Sequence, residues 1–316
     1  MAGHLENGVW RSDQFAAHTA GGDFVRRESR FRRRVTADGR EGVPAARGRF
    51  HLYVSLACPW AHRTLIYRVL KRLEDVVSLS IVDPVVGDDG WEFSDSPGCV
   101  PDPVAGFRYL RQVYLAADPR YSGRVTVPVL WDRKDGTIVN NESADIIRMF
   151  NSAFNELTPA TADYYPVPLR TEIDAFNERI YAAVNNGVYR CGFAGSQTAY
   201  ERAFHTLFKC LDELEERLGS RRFLTGEAIT EADWRLFTTL VRFDAVYYVH
   251  FKCNLRRIAE YRNLSRLLGE LYGVPGVAKT VNIEHVKRHY YLSHRHLNPS
   301  GLVPVGPALD FSGHGR

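Results

Sequence analysis

The chain has 316 residues, 45% of them hydrophobic and 25% charged, with a formal net charge of +4. One or two ordinary globular domains with a sizeable core are expected, and so small a positive excess gives no support to a dedicated nucleic-acid binder. No stretch is apolar enough to cross a membrane, the N-terminus has no apolar signal core, and the five scattered cysteines (Cys58, Cys99, Cys191, Cys210 and Cys253) form no disulfide framework, so a reducing cytoplasm is the expected compartment.

Residues 1–48 read as an irregular extension, rich in glycine and carrying the basic pairs and runs Arg26-Arg27 and Arg32-Arg33-Arg34. No aromatic-interleaved binding module follows, so a solvated arm packed on the surface is expected rather than an anion or nucleic-acid patch. Residues 50–56 are rich in β-branched, aromatic and aliphatic side chains and predict a buried strand. Cys58-Pro59-Trp60-Ala61 follows, and then Leu65, Ile66, Val69, Leu70 and Leu73 recur at helical spacing. Residues 76–82 predict a second strand. Strand, helix and strand make a βαβ unit, which implies parallel pairing and a right-handed crossover. Residues 83–106 read as a long loop carrying Trp91, and Leu110–Ala117 as a short helix.

Residues 125–131 predict another strand, with a hairpin turn at 132–136 and a return strand at 137–139. Pro128 interrupts this run. It marks either an edge strand or a cis bond that turns the Val127 backbone outward, toward a ligand. Asn140-Asn141-Glu142-Ser143 leads into a helix beginning near Ala144, with Ser143 as its N-cap and an end that could hold an anion. Past 159–168, where Pro159, Pro166 and Pro168 suggest a link, strand signals stop. Helical patterns follow at 173–184, 199–218, 231–248, 264–272 and 280–289, the third opening on a capping-box-like Thr230-Glu231-Ala232-Asp233. The expected division is an extension at 1–48, an α/β domain at 49–158 and an all-helical domain with a C-terminal tail at 169–316.

The chemistry centres on Cys58. A cysteine at a helix N-terminus meets unpaired N–H donors and the positive end of the helix dipole. Both favour the thiolate, so its pKa is expected below the ordinary value of about 8.5. His62 and Arg63 add nearby positive charge. A free cysteine can also be a small buried hydrophobe, but the strand-to-helix turn favours the reactive reading. Where a dithiol oxidoreductase carries its second cysteine, this chain has Ala61. A mixed disulfide on Cys58 would therefore need a thiol from elsewhere, a small soluble one being the simplest, and a site to bind it. His285 and His289 stand four apart, but no third ligand is apparent, and no metal is expected. The other four cysteines lack paired spacing and read as free thiols.

Taken together these residues resemble the glutathione transferases, and most closely the xi class, the glutathionyl-hydroquinone reductases. The strings that carry the resemblance are Ser55-Leu56-Ala57-Cys58-Pro59-Trp60-Ala61-His62-Arg63, residues 121–132 around Val127-Pro128, Asn140-Asn141-Glu142-Ser143, Asn185-Asn186-Gly187-Val188-Tyr189, and residues 241–244, 250–253 and 289–294. The resemblance implies an α/β thioredoxin-like N-terminal domain followed by an all-α C-terminal domain, and a homodimer. It implies an enzyme whose Cys58 takes glutathione from a glutathionyl-hydroquinone, forming a mixed disulfide that a second glutathione resolves. It assigns glutathione to Val127 through its backbone, to Ser143 for the γ-glutamyl carboxylate and to Glu142 for the amine, with Trp91 and Arg111 lining the same site. Tyr189, Tyr290 and Tyr291 are the expected hydroquinone contacts, the first two as proton or hydrogen-bond donors. Glutathione is thus the co-substrate, with no metal, nucleic acid or membrane as partner. An omega-like thioltransferase and a non-catalytic transferase-like binding module are the alternative readings.

Overall fold

The computed structural model describes residues 3–12 and 18–311. The ends of the chain and residues 13–17 of the N-terminal arm lie outside the described residues. The chain divides into two compact units. Among the described residues, the first holds 3–12, 28–162 and 280–303, and the second holds 18–27, 163–279 and 304–311.

In the first unit, strands β1 (His4–Glu6) and β2 (Val9–Arg11) form a hairpin, and β3 (Val35–Thr36) pairs in parallel with β4 (Val43–Pro44). The main sheet is built from β5 (Phe50–Val54) and β6 (Val77–Ile81), joined by α1 (Pro59–Leu70). β5 and β6 run parallel, with Phe50 opposite Val77, as the βαβ pattern predicts. After α2 (Leu110–Ala117), β7 (Gly123–Arg124) joins β1 at the side of the hairpin. β8 (Val129–Asp132) is antiparallel to β5, and β9 (Thr137–Asn140) is antiparallel to β8. The strand order is β6-β5-β8-β9. β5 is interior to the sheet, and all five of its residues are buried, including His51, which is why it shows no alternation of buried and exposed positions. Helices α1 and α3 (Ser143–Ser152) pack on each other.

Pro128 corrects the edge-strand expectation. Its peptide bond with Val127 is cis, and β8 begins one residue later, between two neighbours. A residue without an N–H sits just outside the ladder, where none is needed.

The second unit is helical: α4 (Arg170–Ile180), α5 (Gly187–Gly192), α6 (Gln197–Ser220), α7 (Glu231–Arg242) and α8 (Arg262–Tyr272). Every residue of α7 is buried, including Trp234, Leu236, Phe237, Leu240 and Val241, so it is the core helix of the unit. Its start is the expected capping box: Thr230 N–H donates to Asp233 Oδ2 at 2.8 Å, and the Thr230 side chain meets the backbone one turn on. Two helices end in π-helical turns, at Tyr181–Asn185 and Phe243–Tyr247. These correct the expectation of plain helices over 173–184 and 231–248. α5 is absent from the sequence reading because Gly187 and the two asparagines before it read as a turn. Gly192 ends α5 where any Cβ would collide with the Phe251 ring.

The last helix, α9 (Ile283–Ser293), lies within the first unit. The sequence division assigns this stretch to the helical domain. Its polar side chains explain the difference, because three of them bond to the loop at 83–106. His285 Nε2 lies 2.7 Å from Pro97 O, His289 Nδ1 lies 2.8 Å from Pro84 O, and Ser293 Oγ accepts from Val86 N–H at 2.9 Å. Residues spaced by four share one helix face.

Candidate active site

Cys58 is the N-cap of α1. Its backbone is extended (φ −77°, ψ 121°), and Pro59 occupies the first helical position, where a missing N–H costs nothing. Cys58 N–H donates to Ser55 O at 3.2 Å, and Cys58 O accepts from His62 N–H at 2.9 Å, so the turn is fixed on both sides. The half-buried thiol lies 3.6 Å from Val127 O. The β5–α1 turn and Val127, two residues before β8, thus meet at the sulfur. Trp60 and Arg63 stack, with the guanidinium carbon 4.7 Å from the indole centroid. Arg63 Nη1 reaches Ser143 Oγ at 3.5 Å, and His62 Nε2 lies 2.7 Å from Thr280 Oγ1. The two basic residues after Cys58 therefore join α1 to the start of α3 and to the segment leading into α9.

The N-cap of α3 is Glu142, and Ser143 is the first helical residue. This shifts the expected cap by one position. The reason is reach: the longer Glu142 carboxylate bends back over the helix end, and Oε1 accepts from Ala144 N–H at 3.1 Å and from Ser143 Oγ at 3.4 Å. Oε2 accepts from Ser29 Oγ at 2.9 Å. Among the described residues no basic side chain forms an ion pair with Glu142. The helix start thus presents an acid held only by neutral donors, beside the positive end of a helix.

Trp91, on the long loop, is buried, only 7% exposed. α9 covers it: the indole stacks on His289 with centroids 5.0 Å apart and planes 16° apart. Arg111 belongs to the same neighbourhood through the loop. It ion-pairs with Asp89 at 3.0 Å, and its guanidinium lies 4.2 Å from the Tyr109 ring centroid and 5.3 Å from that of Trp10. Its charge is matched inside the loop. Tyr290 and Tyr291 lie on α9 in the first unit, and both are buried. Tyr290 meets His289 and His294 edge-on, at 5.3 and 5.4 Å. Burial pushes the Tyr291 phenol up to about 12. Tyr189 lies on α5 in the second unit. Arg26 sits 4.7 Å above its ring, and Phe251 and Tyr247 stand 5.4 and 6.1 Å away.

The family model of the glutathione S-transferase N-terminal domain matches residues 57–153, and that of the C-terminal domain matches 197–269. The glutathionyl-hydroquinone reductase PcpF of Sphingobium chlorophenolicum is 54% identical over 311 residues, 98% of each chain. The glutathionyl-hydroquinone reductase YqjG of Escherichia coli K-12 is 52% identical, covering 99% of this chain and 98% of the relative. Its glutathione-bound structure superposes with a TM-score of 0.92 over 99% of both chains. A xi-class glutathione transferase from Natrialba magadii is 45% identical with a TM-score of 0.92, covering 99% of this chain and 95% of that one. The chain belongs to the xi-class glutathione transferases, the glutathionyl-hydroquinone reductase family.

In this xi-class chain, Cys58, Val127, Arg63, Ser143 and Glu142 form one connected series in the first unit, and Trp91, His289 and Tyr290 form another. Among the described residues no group of acids, histidines and cysteines could hold a metal ion. His285 and His289 instead each face a loop carbonyl. Sequence reasoning passed over Ser29 and weighed His289 only as a metal ligand, not as the partner of Trp91. Nothing local marks Ser29, whose partner is remote in the chain. The spacing of His285, His289 and Ser293 did carry a one-face signal.

Proposed function

We propose that this chain reduces glutathionyl-hydroquinones to hydroquinones with glutathione, through a Cys58–glutathione disulfide. The observation that carries the reading is the Cys58 turn: a half-buried thiol at a helix N-terminus, facing the Val127 backbone, with no second cysteine in the turn. Full-length identity above 50% to two proteins named for this activity supports it. The Cys58 thiolate attacks the thioether sulfur, the sulfur–aryl bond breaks, and its electron pair takes a proton at the ring carbon. A second glutathione thiolate then attacks the mixed disulfide, freeing Cys58 and releasing oxidised glutathione. A serine or tyrosine hydroxyl could activate a bound thiol but could not form this disulfide.

Glutathione needs a complement for each end. The Val127 backbone serves its peptide-like middle, Ser143 and the α3 N-terminus its γ-glutamyl carboxylate, and Glu142 its ammonium. The absence of an ion-pair partner for Glu142 among the described residues supports the last assignment. Trp91 closes the site from the loop side, and Arg111 holds that loop. Tyr189 and Tyr290 are assigned as donors to the departing hydroquinone, and Tyr291 as a further substrate contact. The reading extends to a cytoplasmic homodimer, which the family resemblance suggests and size-exclusion chromatography with light scattering tests. No helix among the described residues is long and apolar enough to cross a membrane.

Relative rates separate this reading from an omega-like thioltransferase. kcat/KM on a glutathionyl-hydroquinone should far exceed that on a simple glutathione mixed disulfide. The reverse order would favour the thioltransferase.

A further inference from the structure

We propose that the arginine-rich N-terminal arm is a working part of the γ-glutamyl site, and that it acts through Ser29 as a positioning residue for Glu142. The inference rests on the reading of Glu142 as the partner of the glutathione ammonium. Residues 29–33 cross the start of α3. Phe31 N–H donates to Asn141 Oδ1 and Asn141 N–H donates back to Phe31 O, both at 3.1 Å. Asn140 Nδ2 donates to Arg33 O at 2.9 Å, and Arg32 ion-pairs with Asp145 in the first turn of α3. Phe31 stacks on Tyr121 with centroids 5.7 Å apart and meets Tyr114 edge-on at 5.9 Å. Asn141 is itself fixed, because its Nδ2 donates to the Tyr114 hydroxyl at 3.1 Å. The arm is thus tied to the start of α3 through its backbone, with Arg32 adding one ion pair.

These anchors place Ser29 Oγ 2.9 Å from Glu142 Oε2 and 3.2 Å from Asn141 O. A hydroxyl has one proton for these two acceptors. The charged acceptor takes it when no ligand is bound. Oε1 is already held by Ala144 N–H, so Ser29 fixes the second oxygen and with it the plane of the carboxylate. When an ammonium reaches Oε2, the Ser29 proton turns to Asn141 O, and Ser29 Oγ offers the ammonium a lone pair. Glu142 is oriented before the ligand arrives and exchanges the Ser29 hydrogen bond at Oε2 for one from the ammonium, which is preorganisation in the ordinary sense.

The test is calorimetry of the full chain with reduced glutathione and with glutaryl-cysteinyl-glycine, which lacks only the ammonium. Ser29→Ala should weaken glutathione about 2- to 10-fold, the scale of one hydrogen bond, and Ser29→Thr should restore it. The amine-less ligand should bind wild type and Ser29→Ala equally, and Ser29→Ala should add no loss in a Glu142→Ala background. Unchanged glutathione affinity in Ser29→Ala, with Glu142→Ala still weakened, would overturn the role of Ser29 and leave the site standing. Equal weakening of both ligands would make Ser29 a support of the fold, and overturn the proposal. Unchanged affinity in Glu142→Ala would overturn the γ-glutamyl assignment itself, and this inference with it.

Discussion

Cys58 lies at the turn that follows a buried strand and caps a helix, so a single side chain meets both the helix dipole and the backbone of Val127. Chemistry at that sulfur and binding by the remaining contacts are separable. Cys58→Ser should abolish reductase turnover while calorimetry still detects glutathione, because the assigned binding groups lie on Val127 and α3. Near-full turnover in the serine variant would show that another residue is the nucleophile. Glu142→Ala should raise the dissociation constant for glutathione about 10- to 150-fold, since a charge-assisted hydrogen bond is worth ~1.5–3 kcal/mol. The tyrosines carry a different signature. Tyr189→Phe and Tyr290→Phe should lower kcat on glutathionyl-hydroquinones by about 10- to 1,000-fold, the scale of one proton or oxyanion donor. Both should still reduce a simple glutathione mixed disulfide, whose leaving thiolate needs no such donor. Equal losses on the two substrates would make the tyrosines structural.

At the scale of elements, two buried groups give the units opposite responses to pH. His51 on β5 sits between Ser78 Oγ at 2.7 Å and Ser80 Oγ at 2.9 Å, and burial lowers its pKa to about 4. Between pH 6.5 and 4 the unfolded chain takes up a proton that the folded imidazole refuses. The contribution of His51 is therefore full above about pH 6.5 and is lost as pH falls toward 4. Asp233, in the capping box of α7, is raised by burial to about 6 from 3.8. Its contribution is full below 3.8 and is lost as pH rises through 6. Each full shift corresponds to ~3 kcal/mol. The two trends offset one another across about pH 4–6, so each variant should unmask the other. Thermal unfolding of His51→Gln should gain stability as pH falls from 6 to 4, and that of Asp233→Asn should lose it. Parallel profiles for wild type and both variants would contradict these assignments.

For the whole molecule, the local signals were legible and the remote ones were not. The alternation of apolar runs and helical spacing carried β5, α1, β6 and α2, because each depends on its own residues. The Thr230 capping box was legible for the same reason. Pro128 left two readings open, since whether β8 has neighbours on both sides depends on pairing with β5. The membership of α9 in the first unit was hidden, although the side chains that hold it there were in plain view. What they bond to is the irregular loop at 83–106, and irregular backbone has no period to read. The burial of Trp91 was hidden as well, because the helix that covers it lies at the other end of the chain. The arm's arginines read as solvated, and Arg27, Arg30, Arg32, Arg33 and Arg34 are exposed. What was hidden is where the arm packs, because the partners of Ser29, Phe31 and Arg32 at the start of α3 are remote in the chain.

The central claim is that glutathione passes from the hydroquinone to Cys58. Intact-protein mass spectrometry after mixing the full chain with a glutathionyl-hydroquinone, with no free glutathione present, tests it most directly. The account predicts one glutathione bound per chain through a bond that a reductant removes, one equivalent of free hydroquinone, and neither with Cys58→Ser. Hydroquinone release without the adduct, or an adduct that persists in Cys58→Ser, would contradict it.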